Sequence, residues 1–396
     1  MMYRLKNPLQ HYAWGSHTAI QGLLGLNDQE PVAEMWMGAH PKAPSIVQHE
    51  DGDISLATII DQDPTSMLGR SVAERFANRL PFLFKLLAAD KCLSLQTHPN
   101  LEQAQAGFAR ENNLSIPIDA PHRNYRDANH KPEIICAISE FWGLNGFRPL
   151  DDMMALLNSL RLPAMADELA MLQAAPSRDT LRHVFGRILK LDAARRHALV
   201  QDLLTESAKR RHERAEFEWM QRIHQDYPHD PGILCVLLLN LVHLQPGQAM
   251  YCGAGNLHAY LHGFGVELMA NSDNVLRGGL TVKHVDPEEL LNVLTFDCQQ
   301  ATIVEPKVVS ETEDQYPTPN HEFDLRRIHL EPGIDWKSAS DRSLEILICL
   351  EGLVSLELDG NQLVLKAGQS AMLAASAAAY RLTGHGIVFK AGAPIS

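Results

Sequence analysis

The chain has 396 residues, which at about 150 residues per domain predicts two or three domains and excludes a peptide hormone or a single small module. Its 45% apolar and 21% charged residues are typical of a globular protein and exclude a disordered, collagen-like or coiled-coil chain. The 35 basic and 48 acidic residues give a formal net charge of −13, which disfavours a nucleic-acid partner but allows a local basic cluster that binds a small anion.

The first residues and the cysteines predict a cytoplasmic, reduced protein with no membrane partner. The opening MMYRLKNPLQHYAWG lacks the apolar core of a signal peptide, and the longest apolar run, near residues 233–239, is much shorter than a membrane span. The six cysteines form no CxxC pair, so a bound metal would need other ligands.

Short strands separated by Gly, Pro and Asn are predicted up to about residue 148, among them FLFKLL, CLSLQTH and EIICAI. Between Asp151 and Asp230 the sequence instead becomes rich in Ala, Leu, Arg and Glu. Apolar residues repeat there at the spacing of an amphipathic helix, as in Leu181, Val184, Phe185, Ile188 and Leu189. Prolines bound this block on both sides, and we interpret it as a helical insertion over residues 149–230.

The remainder of the chain returns to strand patterns, such as GILCVLLL, EILICL, LVSLELDG, QLVLKAG and GIVFKAG. Because helices of crossover length do not alternate with these strands, a Rossmann or TIM arrangement is disfavoured. The pattern favours a mainly β protein of the sandwich or jelly-roll type.

A faint internal repeat predicts two similar barrels in tandem. The segment LQPGQAMYCGAGNLHAYLHG, which starts at residue 244, can be laid on LKAGQSAMLAASAAAYRLTG, which starts at residue 365. With a one-residue gap, Ala259-Tyr260 lies over Ala379-Tyr380, and His258 of the first copy then falls on Ala378 of the second. If the first copy binds a metal, we therefore expect the second copy not to bind one.

Several segments place polar side chains together, because residues i and i+2 of a strand share a face. These pairs are Gln96 with His98, Lys131 with Glu133, and His258 with Tyr260, and Glu267 and Arg277 follow the last pair. Two imidazoles, a carboxylate and an amide oxygen suit a divalent cation, with zinc preferred and cobalt or manganese as alternatives. Each residue also has an ordinary interpretation: a structural histidine among the nineteen present, a solvated charge for Lys131 or Arg277, and a turn for Asp273-Asn274.

Two long strings resemble the signatures of the type I phosphomannose isomerases, zinc enzymes of the cupin superfamily. They are YRDANHKPE, from Tyr125 to Glu133, and HAYLHGFGVELMANSDNVLRGGLTVK, from His258 to Lys283. HYAWG and PFLFKLLAADKCLSLQTHPN are similar to the same family, so the resemblance extends from about residue 10 to residue 300.

The resemblance implies a fold of tandem cupin-type β jelly rolls, mainly β with a helical insertion, in which the first jelly roll carries the metal site. It divides the chain into a discontinuous zinc-bearing catalytic domain (1–148 and 231–310), a helical insertion (149–230) that partly roofs the site, and a metal-free cupin-like β domain (311–396).

The resemblance also assigns roles to individual residues. It implies one zinc ion per chain, with Gln96, His98, Glu133 and His258 as ligands. It implies catalytic roles for Arg277, Glu267 and Lys131, and substrate-binding roles for Lys283, Tyr260, Lys85 and Ser94. For Lys85 and Ser94 a structural role is the alternative.

Three positions depart from the family pattern. Gly278 stands where the family usually has alanine, and Val282 and Leu257 stand where it usually has proline. Gly278 loosens the backbone beside Arg277, and Val282 removes a fixed φ before Lys283. These changes leave every implied functional side chain in place.

The expected reaction is the interconversion of D-mannose 6-phosphate and D-fructose 6-phosphate through an enediol, in carbohydrate metabolism and GDP-mannose biosynthesis. Such a reaction needs a base, an electrophile for the developing oxyanion and a phosphate anchor. Glu267 is favoured as proton carrier over Lys131 and a metal-bound water, and either Arg277 or Lys283 could hold the phosphate.

Two alternatives remain. One is a non-catalytic cupin sensor of sugar phosphates, and the other is a related isomerase or epimerase that acts on another aldose. In each case the partner is a small sugar phosphate, with no nucleic acid and no membrane. We expect a monomer, and an oligomer stays open.

Overall fold

The computed structural model describes residues 1–27, 29–49 and 52–395. Its strands are β1 (Met2–Lys6), β2 (Leu9–Gln10), β3 (Glu34–Gly38), β4 (Ile46–Val47), β5 (Ile54–Ser55), β6 (Phe82–Ala89), β7 (Leu95–Thr97), β8 (Glu133–Ala137), β9 (Phe141–Phe147), β10 (Leu239–Leu244), β11 (Ala249–Cys252), β12 (His258–Ala270), β13 (Leu276–Gly279), β14 (Ile303–Val304), β15 (Lys307–Ser310), β16 (Glu313–Tyr316), β17 (Asp324–Leu330), β18 (Trp336–Lys337), β19 (Glu345–Leu358), β20 (Asn361–Lys366), β21 (Ser370–Leu373) and β22 (Arg381–Gly392).

The α-helices are α1 (Ala19–Leu24), α2 (Leu56–Gln62), α3 (Pro64–Leu68), α4 (Arg70–Arg75), α5 (Leu101–Asn113), α6 (Leu150–Asn158), α7 (Ala166–Ala174), α8 (Arg178–Leu189), α9 (Ala193–Lys209), α10 (Ala215–Asp226), α11 (Cys235–Leu238) and α12 (Pro287–Val293). Short 3₁₀ helices occur at Pro163–Met165 and Pro231–Leu234.

The strands form two antiparallel sheets. One follows the order β14-β11-β8-β12-β6-β3-β2, with β7, β9, β10 and β13 attached through β12 and its neighbours. The other follows β15-β16-β17-β22-β19-β21-β1-β4-β5, with β18 on β22 and β20 on β19. The predicted fold class, mainly β with tandem jelly rolls and a helical insertion, is confirmed.

The N-terminal strand lies in the sheet of the C-terminal region. β1 pairs with β21, so that Met2 lies opposite Leu373 and Leu5 lies opposite Ser370. One apolar core joins the two sheets and contains, among others, Leu86, Ile134, Leu325 and Ile346. The division at residues 148, 231 and 311 stays a prediction. The structure adds that the N-terminal strand β1 lies in the C-terminal sheet.

The helical segment packs behind the strands that carry the candidate site. In α8 the side chains of Leu181, Val184, Phe185 and Ile188 are buried, as the helical spacing predicts, and Leu189 is half-buried. They share a core with Leu95 of β7, Leu257, and Leu276 of β13. Burial of this apolar stripe therefore fixes the back of β7 and β13.

The two barrels repeat the same turn. Gly247 and Gly368 both have positive φ, at 90° and 82°, which a residue with a Cβ rarely adopts. The following glutamine closes the turn in each copy: Gln248 Oε1 accepts from the Gln245 N–H at 2.9 Å, and Gln369 Oε1 accepts from the Lys366 N–H at 3.0 Å.

Candidate metal centre and substrate site

Three predicted ligands converge at the end of the first barrel. His98, Glu133 and His258 are fully buried, and their donor atoms all lie within 4.8 Å of one another. His258 Nε2 lies 2.9 Å from Glu133 Oε1, and His98 Nε2 lies 3.4 Å from Glu133 Oε2. β12 supplies His258, β8 supplies Glu133, and His98 directly follows β7.

Backbone carbonyls orient both imidazoles. His98 Nδ1 lies 2.7 Å from the Asn274 carbonyl oxygen, and His258 Nδ1 lies 3.0 Å from that of Asn256. Because a carbonyl only accepts, each Nδ1 carries the proton and each Nε2 presents a lone pair. His258 Nε2 has no hydrogen-bond partner among the described residues although it is buried. The lone pair of His258 Nε2 and the Glu133 carboxylate, 2.9 Å apart, repel each other unless a cation lies between them. The donor set therefore fits a divalent metal.

Strand pairing places the fourth predicted ligand beside this cluster. Gln96 lies opposite His258 on β12 and opposite Arg277 on β13. Directly opposed residues of antiparallel strands share a face, so the Gln96 amide, the His258 imidazole and the Arg277 guanidinium are neighbours on one surface.

A buried ammonium group lies against the ligand carboxylate. Lys131 Nζ donates to Glu133 Oε2 at 2.6 Å and lies 3.4 Å from His98 Nε2, and Tyr260 Oη donates to Glu133 Oε1 at 3.2 Å. Burial would raise the pKa of Glu133, but the positive charge of Lys131 holds it well below its usual range. Burial and Lys131 lower the pKa of His98 to about 4, so this imidazole is neutral near pH 7.

A second buried charge cluster adjoins the first along β3, β6 and β12. Lys85 Nζ lies 2.9 Å from Glu267 Oε2 and 3.6 Å from Glu34 Oε1. Burial opposes the charge of Lys85, but Glu267 and Glu34 raise its pKa above the usual value. Burial, together with the negative charge of Glu133 and Glu34, raises the pKa of Glu267 despite the nearby ammonium groups.

Sequence reasoning missed Glu34 and Trp36. Trp36 Nε1 donates to Glu34 Oε2 at 2.5 Å, and Lys85 Nζ lies 5.4 Å from the centre of the Trp36 ring. The signal that could have found them is the i, i+2 spacing of Glu34 and Trp36 in EMWMG.

The remaining predicted residues lie toward solvent. Arg277 and Ser94 are half-buried, and Lys283 is exposed. Two departures from the family pattern meet in the structure, because a Cβ added at Gly278 would lie 3.3 Å from Leu257 Cδ1. The Leu257 side chain thus lies next to the space that the methyl group of an alanine at position 278 would fill. Val282 is fully exposed, so its side chain has no packing role.

Within the described ranges, no helix has the length and apolar content needed to span a bilayer.

Comparisons with known proteins agree with this geometry. The family model for the catalytic domain of type I phosphomannose isomerase matches residues 2–150, and that for the cupin domain of mannose-6-phosphate isomerase matches residues 312–391. The chain is 40% identical to mannose-6-phosphate isomerase of Escherichia coli (strain K12), over 97% of this chain and 98% of that protein. It is 31% identical to mannose-6-phosphate isomerase of Rattus norvegicus, over 89% of this chain and 88% of that protein.

Solved structures show the same similarity. A single-substitution variant of phosphomannose isomerase from Salmonella typhimurium superimposes with a TM-score of 0.94 at 37% identity, over 99% of both chains. A zinc-bound mannose 6-phosphate isomerase superimposes with a TM-score of 0.92 at 38% identity, again over 99% of both chains. On this combination of sequence identity, full-length coverage and a buried triad of metal donors, the chain belongs to the type I phosphomannose isomerase family.

Proposed function

We propose that the chain is a zinc-dependent isomerase that interconverts D-mannose 6-phosphate and D-fructose 6-phosphate through an enediol. The observation that carries this proposal is the convergence of His98, Glu133 and His258 beside the buried Lys85–Glu267 pair and a cationic surface at Arg277. The zinc-bound relative and the curated isomerases support it.

His98, Glu133, His258 and Gln96 would hold the zinc ion, one per chain. When bound, zinc supplies a Lewis acid that polarises sugar oxygens and stabilises negative charge on them. Tyr260 and Lys131, which contact the two oxygens of Glu133, keep this carboxylate ionised and oriented.

Glu267 is the proposed proton carrier between C1 and C2. It is buried, with 3% of its surface exposed, and burial raises its pKa above the usual value, which favours proton transfer in both directions. Lys85 Nζ lies 2.9 Å from Glu267 Oε2 and holds this carboxyl group in place. Lys131 is the competing candidate, but its ammonium already donates to Glu133.

Arg277 is proposed to bind negative charge on the substrate. Its side chain has no acidic partner among the described residues, and it lies opposite Gln96, beside the proposed metal ligands. A guanidinium group in this position presents several donors to an oxyanion or a phosphate. Lys283, which is exposed, and the half-buried Ser94 are proposed to line the substrate entrance.

The test is a coupled assay of mannose 6-phosphate conversion before chelation, after chelation and after zinc is restored. We expect activity to disappear with the chelator and to return with zinc. Folded, zinc-loaded protein that binds sugar phosphates without turnover would instead establish a sensor. Turnover of a different aldose in a substrate panel would establish a related isomerase or epimerase.

A further inference from the structure

Three cationic side chains without partners lie on two segments that meet at Asn274, because the Arg126 N–H donates to Asn274 Oδ1 at 2.7 Å and Arg277 and Lys283 follow Asn274 in the chain. Within the described ranges, the side chains of Arg126, Arg277 and Lys283 make no hydrogen bond or ion pair, unlike Arg148 with Glu216 or Arg327 with Asp314. The chain has more acidic than basic residues, so acidic partners are not scarce in its composition. The lack of acidic partners is therefore a local feature of the surface around Arg126, Arg277 and Lys283.

The three charges are near enough to repel one another. Burial and the positive charge of Arg126 lower the pKa of Arg277, and burial, Arg277 and Arg126 lower the pKa of Lys283. Arg126 and Arg277 are both half-buried, so part of this repulsion acts away from bulk water. An anion with two negative charges would relieve it.

A buried asparagine fixes Arg126 to the metal ligands. Asn274 is fully buried, and its Oδ1 accepts from the Arg126 N–H at 2.7 Å and from the Asp127 N–H at 3.2 Å. Its Nδ2 donates to the carbonyl oxygens of Asp127 and Asn129, both at 2.8 Å. The carbonyl of the same Asn274 orients His98. The backbone at Arg126 is therefore held in place before any substrate binds.

We infer that Arg126 is a phosphate-binding residue, which together with Arg277 and Lys283 selects phosphorylated over free sugars. This inference rests on the proposed function for the identity of the sugar. A guanidinium group matches the oxygens of a phosphate dianion with paired N–H donors, and a fixed backbone reduces the entropy lost on binding. Arg126 contacts the phosphate in this assignment and takes no part in moving the proton.

The test compares Arg126→Gln, Arg126→Lys and the matched control Arg79→Gln, which removes an exposed arginine beyond α4. For Arg126→Gln we expect a rise in KM for mannose 6-phosphate of about 10- to 100-fold, with kcat changed less than about threefold. Arg126→Lys should restore part of the affinity, and kcat/KM for unphosphorylated mannose should not change. Zinc content should stay at one ion per chain in all three variants.

Calorimetric titration with inorganic phosphate separates this inference from the proposed function. A wild-type chain without isomerase activity whose phosphate affinity falls in Arg126→Gln would refute the proposed reaction and retain the phosphate site. Equal phosphate affinity in the wild type and in Arg126→Gln would overturn the assignment of Arg126, whether or not the chain isomerises the sugar. A loss of phosphate affinity in Arg79→Gln of the same size would overturn it as well.

Discussion

Glu345 occupies in the C-terminal barrel the position that Glu133 occupies in the first barrel. Glu133 lies opposite Cys252 on β11, and Glu345 lies opposite Leu373 on β21, the residue that the internal repeat aligns with Cys252. A tyrosine donates to each carboxylate: Tyr260 to Glu133 at 3.2 Å and Tyr380 to Glu345 at 2.8 Å.

The two barrels differ in what balances this buried carboxylate. Lys390 occupies in the C-terminal barrel the strand position that Glu267 occupies in the first barrel. Glu267 lies opposite Ile135, two residues after Glu133, and Lys390 lies opposite Leu347, two residues after Glu345. Lys390 Nζ donates to Glu345 Oε1 at 2.9 Å. Each carboxylate thus accepts from an ammonium group, Lys131 in the first barrel and Lys390 in the second, but Glu133 also lies beside two imidazoles.

Replacement of Glu133 should therefore affect zinc content, whereas replacement of Glu345 should affect the stability of the fold. We expect Glu133→Gln to lower zinc content well below one ion per chain, because a neutral amide replaces the anionic carboxylate of the donor set and binds a divalent cation more weakly. Glu345→Gln should keep one zinc per chain but lower the free energy of unfolding by about 3 kcal/mol, because Lys390 loses a buried partner. Elemental analysis and urea unfolding measure the two effects. Loss of zinc from Glu345→Gln would contradict the assignment.

Glu267→Gln should lower kcat by about 10²- to 10⁴-fold, with little change in KM, if Glu267 transfers the proton. The amide keeps the shape of the side chain but cannot accept the proton. Glu74→Gln, at an exposed position of α4, is the matched control and should leave both constants unchanged. Steady-state kinetics on zinc-loaded protein checks this prediction, and a Glu267→Gln variant with more than a tenth of the activity would refute it.

Asn274→Ala should weaken zinc binding by about 10- to 100-fold. The substitution removes the side-chain hydrogen bonds that hold the Asn274 backbone in place, and the carbonyl of this backbone orients His98. It should also destabilise the fold by about 2–4 kcal/mol, since backbone groups of Arg126, Asp127 and Asn129 lose partners. Asn271→Ala is the control, because the Asn271 side chain is half-buried and makes none of these bonds. Competition with a chromophoric chelator measures the affinity. Equal affinities in the two variants would count against this role.

The helical insertion should show a pH-dependent ion pair at Glu168, which is 1% exposed. Burial would raise its pKa, but hydrogen bonds from Arg187 and Arg195 lower it below the usual value. A carboxyl group whose pKa is depressed in the folded state stabilises the fold above its unfolded pKa, and this contribution is lost as the pH falls through the folded pKa.

We therefore expect Glu168→Gln to cost about 1–3 kcal/mol at pH 7 and progressively less below about pH 4. Chemical denaturation of the wild type and the variant at pH 7, 5 and 3 checks this. A difference in unfolding free energy that stays constant over this range would rule out a contribution from ionisation.

Local patterns in the sequence grouped the candidate metal donors, and the resemblance to the family assigned them as ligands. Gln96 and His98, like Lys131 and Glu133, fall at i and i+2, and this spacing alone predicts that each pair shares a strand face. The stripe from Leu181 to Ile188 likewise predicted the buried face of α8, because helical period and burial are both local properties. The repeat around Gly247 and Gly368 was visible because each turn closes within a few residues.

Only the tertiary structure decided which distant segments meet. β1 pairs with β21 across more than 360 residues, and Glu34 reaches Lys85 because β3 lies beside β6. Spacing along the chain predicts neither that Lys390 and Glu267 hold corresponding register positions nor that the Arg126 backbone is bonded to Asn274. Strand alternation determines which face a side chain occupies, whereas the choice and register of the partner strand depend on burying the apolar faces of both barrels in one shared core.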